Sequence, residues 1–393
     1  MAAGLLAAAL AFAWQAATVR ANYDGSWSAL FCAGDRFAVP PELAWERIHV
    51  FPDSGGYDGQ FYHYMAHDPL RVRGLDKYID LPRLRYRRIL LPLSAYLLAG
   101  GQDRFVDTAY RAVILLWVAL GAYWLGRFAI STGRGPAWGL AFLFVPAVII
   151  SLDRLVVDAA LAALVLAFAL YVKEGSPWKL YLVLLCATLT RETGVLLLTG
   201  YCLYLLLRRA WRHALLFATA AVPAAAWFGY LQLRMAGDLV RPFVHSARGL
   251  VGMESHVPLR LKLGMPEYQL PHALAGTLTV LDYLSLLAIA LAVLLAVRFV
   301  LRRERGPRDV VALLFALLVV WLAFVFSHRD PYAYPRVVSP LLILVALPAL
   351  EGRGRLALLP IALVALRVAA QLTLQAAGVA RALSLILGSE YPR

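Results

Sequence analysis

Long apolar runs recur along the 393-residue chain at a spacing that leaves room for little except helices packed side by side in a bilayer. Lipid offers no partner for an unpaired backbone amide, so a crossing segment is a helix of ~20 mostly apolar residues. About eleven segments approach that length: residues 2–19, 106–125, 136–152, 155–172, 178–189, 194–207, 214–233, 281–300, 310–326, 337–350 and 356–374. Those at 178–189 and 194–207 are short. The run 89–99 is too short to span and is expected to form an interfacial or re-entrant helix. With 61% hydrophobic and only 16% charged residues, the composition is not that of a water-soluble domain. The expected fold is all-α, one polytopic transmembrane bundle over residues 1–393.

A net charge of +14 would point to nucleic acid in a soluble protein, but here the basic residues track topology. Arg127 and Arg134, Lys173 and Lys179, Arg208, Arg209 and Arg212, Arg298 to Arg308, and Arg353 and Arg355 all fall on alternate loops. The positive-inside rule makes those loops cytoplasmic and turns the others outward: residues 20–103, the Asp153 turn, the Arg191-Glu192 turn, 234–273 and 328–336. No nucleic-acid or nucleotide partner is expected. The first segment lacks a basic leader and a small-residue cleavage site, and reads as a retained anchor. Three cysteines give no disulfide framework. The Ala, Leu and Arg bias is that of a GC-rich bacterium, which makes the expected location the bacterial inner membrane with the outward loops in the periplasm.

A bundle of lipid-facing helices has no structural need for the first outward loop, residues 20–103, which is rich in carboxylates, arginines and aromatic rings. The loop at 234–273 is long enough to cover it. Within the first loop, Gly55-Gly56-Tyr57-Asp58-Gly59-Gln60-Phe61-Tyr62 places a carboxylate between glycines and ahead of aromatic residues. Glycine lets a ligand approach the backbone, aromatic faces suit sugar rings, and a carboxylate can take a proton from a hydroxyl. Tyr57, Gln60, Phe61, Tyr62 and His63 are the candidate sugar or acceptor contacts. Asp58 has two readings, a general base or the N-cap of the helix that follows.

Further candidates lie at the outward helix ends. Asp153 and Asp158 flank a turn, and Asp158 falls inside the start of an apolar segment, where an ionisable group is costly. Arg191 and Glu192 interrupt two short apolar segments. Arg87 and Arg88, together with Arg191, Arg329 and Arg336, are candidate phosphate contacts, since a guanidinium can hold a phosphate through two hydrogen bonds; snorkelling to headgroups is the alternative. Arg367 lies deep in the last segment. His63 and His67 stand i and i+4, but with no zincin Glu and no clear third ligand the pair is weak evidence for metal: no cofactor is expected, and dependence on a divalent metal stays open.

Tyr57-Asp58-Gly59-Gln60-Phe61-Tyr62-His63-Tyr64-Met65-Ala66 resembles the Trp-Asp-x-x-Trp-Tyr-x-x-Ile-Ala pattern in the first outward loop of bacterial relatives of the GPI mannosyltransferases. Arg87-Arg88-Ile89-Leu90-Leu91-Pro92-Leu93 is similar to the Phe-Pro-Leu-Tyr-Pro stretch that follows there, and Ser151-Leu152-Asp153-Arg154-Leu155 to the Thr-Leu-Asp turn of the protein mannosyltransferase branch. The chain thus resembles the glycosyltransferase C superfamily, and also membrane proteins associated with cell-surface glycopolymers. Tyr57 stands in place of Trp, and residues 20–103 hold no adjacent carboxylate pair. The resemblance implies a polyprenyl-phosphate sugar donor, a glycan, lipid or protein acceptor, and inverting single displacement with Asp58 as base. A lipid-linked sugar flippase and a non-catalytic scaffold of polysaccharide assembly are the rival classes.

Overall fold

The computed structural model describes residues 1–235, 272–302, 305–325 and 332–386. Among the described residues the protein is all-α apart from a parallel two-residue bridge, Ala33–Gly34 beside Val50–Phe51, inside the first loop. Each apolar run read from the sequence coincides with a helix or a bent helix pair. Among the described residues fewer than about eleven helices have the length and composition of a crossing: 5 do, or up to 7 if each bent pair is one span. The 5 are Ala2–Asn22, Asp103–Ile130, Trp211–Arg234, Gly276–Val300 and Ala333–Leu350. The bent pairs are Pro136–Phe144 with Pro146–Arg154, at 61°, and Arg355–Gln371 with Thr373–Leu385, at 56°. Pro146 opens the second half of the first pair; lacking an N–H, it fits a helix start better than a helix interior.

The Asp103–Ile130 helix is the spine. It packs against Ala2–Asn22, the Pro136–Phe144 stretch and the helix Asp158–Glu174. The latter is buried all round from Asp158 to Leu170, so its first turn cannot reach water or headgroups. Whatever charge Asp158 carries must be met by protein. The run at 89–99 forms Leu90–Leu98, about 14 Å long and therefore no crossing. It packs against the loop helix Asp58–His67 and against Asp103–Ile130.

Four of the five basic loops that the sequence assigns to one side meet at one end of the bundle. Arg127 pairs with Glu174 at 2.7 Å, Lys173 donates to the Ser131 carbonyl, Arg134 to the Leu350 carbonyl, and Arg308 pairs with Glu351 at 2.8 Å. At the other end the first loop is stitched to the helix ends: Trp227 donates to the Tyr86 carbonyl and Tyr230 to the Leu70 carbonyl. Arg367 turns inward, where its guanidinium engages both oxygens of Asp282 on the facing helix His272–Val300; both side chains are buried. It is a bundle-interior contact.

Candidate functional site

The loop helix begins at Asp58, with Tyr57 as its cap, so Asp58 lies one residue inside the helix instead of capping it. Gly59 is what lets that first turn nest: a Cβ there would collide with the carbonyl oxygens of Arg154 and Phe31. With Gly59 seated on the Arg154 carbonyl, the Asp58 carboxylate lies among arginines from the neighbouring segments. Arg336 Nη1 lies 2.6 Å from Asp58 Oδ2, Arg85 Nη1 2.8 Å and Arg88 Nη1 3.9 Å. Burial alone would raise the Asp58 pKa, but the positive charges of Arg336 and Arg85 outweigh it and hold the carboxyl far below the usual carboxylate range.

Two more carboxylates complete the cluster. Arg88 grips Glu192 with two hydrogen bonds, 2.8 and 2.7 Å, and donates a third to the Tyr62 hydroxyl at 2.6 Å. Arg191 pairs with Asp158, and Arg336 reaches the other Asp158 oxygen at 3.6 Å. Arg85, Arg88, Arg191 and Arg336 are all buried, while the Glu192 side chain is 32% exposed, so the cluster meets its surroundings at Glu192. Among the described residues, the buried Arg336 Nε has no hydrogen-bond acceptor. A guanidinium with a spare buried donor is a place for an incoming oxyanion.

Asp58, Asp158, Glu192, Arg88, Arg191 and Arg336, scattered along the sequence, are thus brought together. Others go elsewhere. Asp153 ion-pairs with its neighbour Arg154 and accepts from Gln375 at 3.3 Å; an aromatic layer, Tyr332 against Tyr57, stands between Arg154 and Arg336. Arg87 lies over the Phe228 ring and is not part of the cluster. Arg85, a member of the same arginine run as Arg83, Arg87 and Arg88, is the one that joins Arg88 at Asp58. The short helix Pro82–Arg85 ends at Arg85, and the turn after it brings Arg88 back beside Arg85, its backbone N–H donating to the Arg85 carbonyl at 2.9 Å, while Arg87 points to Phe228. Arg329 and the loop at 234–273 lie outside the described residues, the latter save for its first two positions and last two.

The aromatic and polar residues of the motif are also divided. Tyr57 and Tyr62 face the arginines. Gln60 is a staple, accepting from Gly34 N–H and donating to the Gly55 carbonyl, and Phe61 packs edge-on against Phe37 beneath Arg85. His63 is fully buried on the far side of the helix, facing Glu46 and Asp107, so the sugar-contact reading does not hold for it. Comparison with protein-family models, with characterised proteins and with solved structures gives no match.

Proposed function

We propose that the protein is a membrane glycosyltransferase that moves a sugar from a polyprenyl-phosphate donor to an acceptor hydroxyl outside the cytoplasm. The observation that carries this reading is the seating of Asp58 among Arg85, Arg88 and Arg336 at the bundle end opposite the basic loops. The acceptor oxygen attacks the anomeric carbon from the face opposite the phosphate; the bond from that carbon to the phosphate oxygen breaks, and the acceptor proton passes to Asp58. Negative charge grows on the departing lipid phosphate. Arginines positioned to receive it stabilise the transition state more than the ground state.

A carboxylate so strongly depressed is a poor base as it stands. Donor binding changes that: a phosphate that draws Arg336 and Arg85 onto its own oxygens removes the charges that depress Asp58, and its pKa rises toward a useful value. The site would become basic only when loaded. A purely structural ionic network is the competing reading, favoured by the fact that Asp58, Asp158 and Glu192 are each already ion-paired. Purified protein should transfer radiolabelled sugar from at least one donor in a panel of polyprenyl-phosphate sugars. Failure to bind polyprenyl phosphate at all would remove the catalytic reading and leave the structural one.

A further inference from the structure

On the face of the Asp58–His67 helix turned away from the arginines, four side chains from three elements point at one place. His63 and His67, one turn apart, come from the helix itself; Glu46 ends the 3-10 helix Pro41–Glu46; Asp107 lies in the first turns of Asp103–Ile130. Their ligand atoms all lie within 4.8 Å of one another. His63 Nε2 is 2.9 Å from Glu46 Oε2 and 2.8 Å from Asp107 Oδ1, and His67 Nε2 is 3.0 Å from Glu46 Oε1 and 3.6 Å from Asp107 Oδ1.

We propose that Glu46, His63, His67 and Asp107 form a binding site for a divalent transition-metal ion, zinc being the ion this donor set suits, and that the ion is structural.

Geometry favours an ion over hydrogen bonds. Although the contacts are short, both ring nitrogens of His63, Nε2 of His67, Glu46 Oε2 and Asp107 Oδ1 are buried and, among the described residues, none meets a partner in full hydrogen-bond geometry. Donors that crowd together without addressing one another are addressing a common centre. A tetrahedral ion with bonds of about 2.0–2.2 Å separates its ligand atoms by about 3.3 Å, and the distances here bracket that value. The second layer is also of the kind metal histidines have: His67 Nδ1 bonds Asp103 Oδ1 at 3.0 Å, which keeps the proton on Nδ1 and leaves the Nε2 lone pair for the ion. Arg73 in turn holds Asp103 at 2.7 Å. Phe31, stacked on the His63 ring at 4.2 Å, walls the site with an apolar face.

Charge gives the same answer. Two carboxylates and two neutral imidazoles sum with a divalent cation to zero, which is what a buried site requires. The ion would clamp the helix carrying Asp58 to the Asp103–Ile130 spine. Asp58 stands five residues from His63, on another face and about 8 Å along the axis, so the ion lies away from the arginines and takes no part in their chemistry.

The test is metal content, which does not depend on the glycosyl-transfer reading. Detergent-purified protein, stripped with a chelator and refilled with Zn2+, should retain about one ion per chain on elemental analysis, and Co2+ in its place should give the intense visible absorption of a tetrahedral site. Glu46→Gln and His63→Gln should abolish both signals. Asp103→Ala, which leaves every ligand in place, should weaken Co2+ binding by about 10–100-fold. Asp58→Asn should retain the ion. Wild-type protein that takes up neither metal, or that binds Co2+ as tightly when Glu46 is Gln, overturns the proposal; if the His63 variant does not fold, the Asp103 variant decides.

Discussion

The guanidinium of Arg336, in the first turn of the hydrophobic helix Ala333–Leu350, lies 2.6 Å from the carboxylate of Asp58, which begins a short helix in the first loop. A membrane helix and a loop helix are thereby locked by one ion pair. The same guanidinium lies over the Tyr57 ring and within 3.6 Å of Asp158, so three separate parts of the chain depend on it.

Asp58→Asn separates base from counter-charge. Asn cannot take a proton at neutral pH, so transfer per folded molecule should fall by about 100-fold to 10,000-fold. Binding of polyprenyl phosphate should be retained or tightened, because the arginines lose a competitor. A variant that binds as before and still transfers near the wild-type rate would show that Asp58 is structural.

Lysine in place of Arg336 keeps the charge but cannot reach Asp58, Asp158 and the Tyr57 face together. Arg336→Lys should reduce transfer by about tenfold or more. Arg87→Lys is the control and should transfer normally, since Arg87 lies over Phe228. Equal activity in both variants would remove Arg336 from the reaction.

Acid stability carries the sign of the Asp58 shift. Its folded pKa is depressed, so the stabilisation is fully present above the unfolded value of about 3.9 and is lost as pH falls below it. The difference in melting temperature between wild type and Asp58→Asn should stay constant from about pH 8 to pH 5 and shrink only below about pH 4. A difference that vanished already at pH 6 would contradict the pairing.

Removing one partner of the buried Asp282 and Arg367 pair should cost about 3–5 kcal/mol, whereas the double replacement Asp282→Leu with Arg367→Met should recover most of it. Thermal melts in detergent give both values. Additive losses would mean that the two residues do not act as a pair.

Topology is checked with single cysteines in a background lacking Cys32, Cys186 and Cys202. Asp53→Cys, exposed in the first loop, should react with a membrane-impermeant reagent in cells with a permeabilised outer membrane. Ser176→Cys, beside the basic end, should not. The reverse pattern would invert the bundle.

The sequence by itself determined the membrane class, the helical segments and the two ends of the bundle, because hydrophobic run length and loop charge are local properties that lipid reads directly. It also marked Asp58, Asp158, Glu192 and Arg336, each conspicuous as a charge beside or inside apolar sequence. The tertiary structure alone decided who meets whom. Arg85 and not Arg87 faces Asp58, since that choice depends on the rotation of one short helical turn against the rest. His63 turns from the aromatic motif toward Glu46 and Asp107, which are distant in sequence and carry no local sign of sharing a site. The bend at Leu372 comes at the end of the last expected span and turns the chain into a further helix, Thr373–Ile386, that packs along Ala2–Asn22, a contact so distant in sequence that no local pattern announces it.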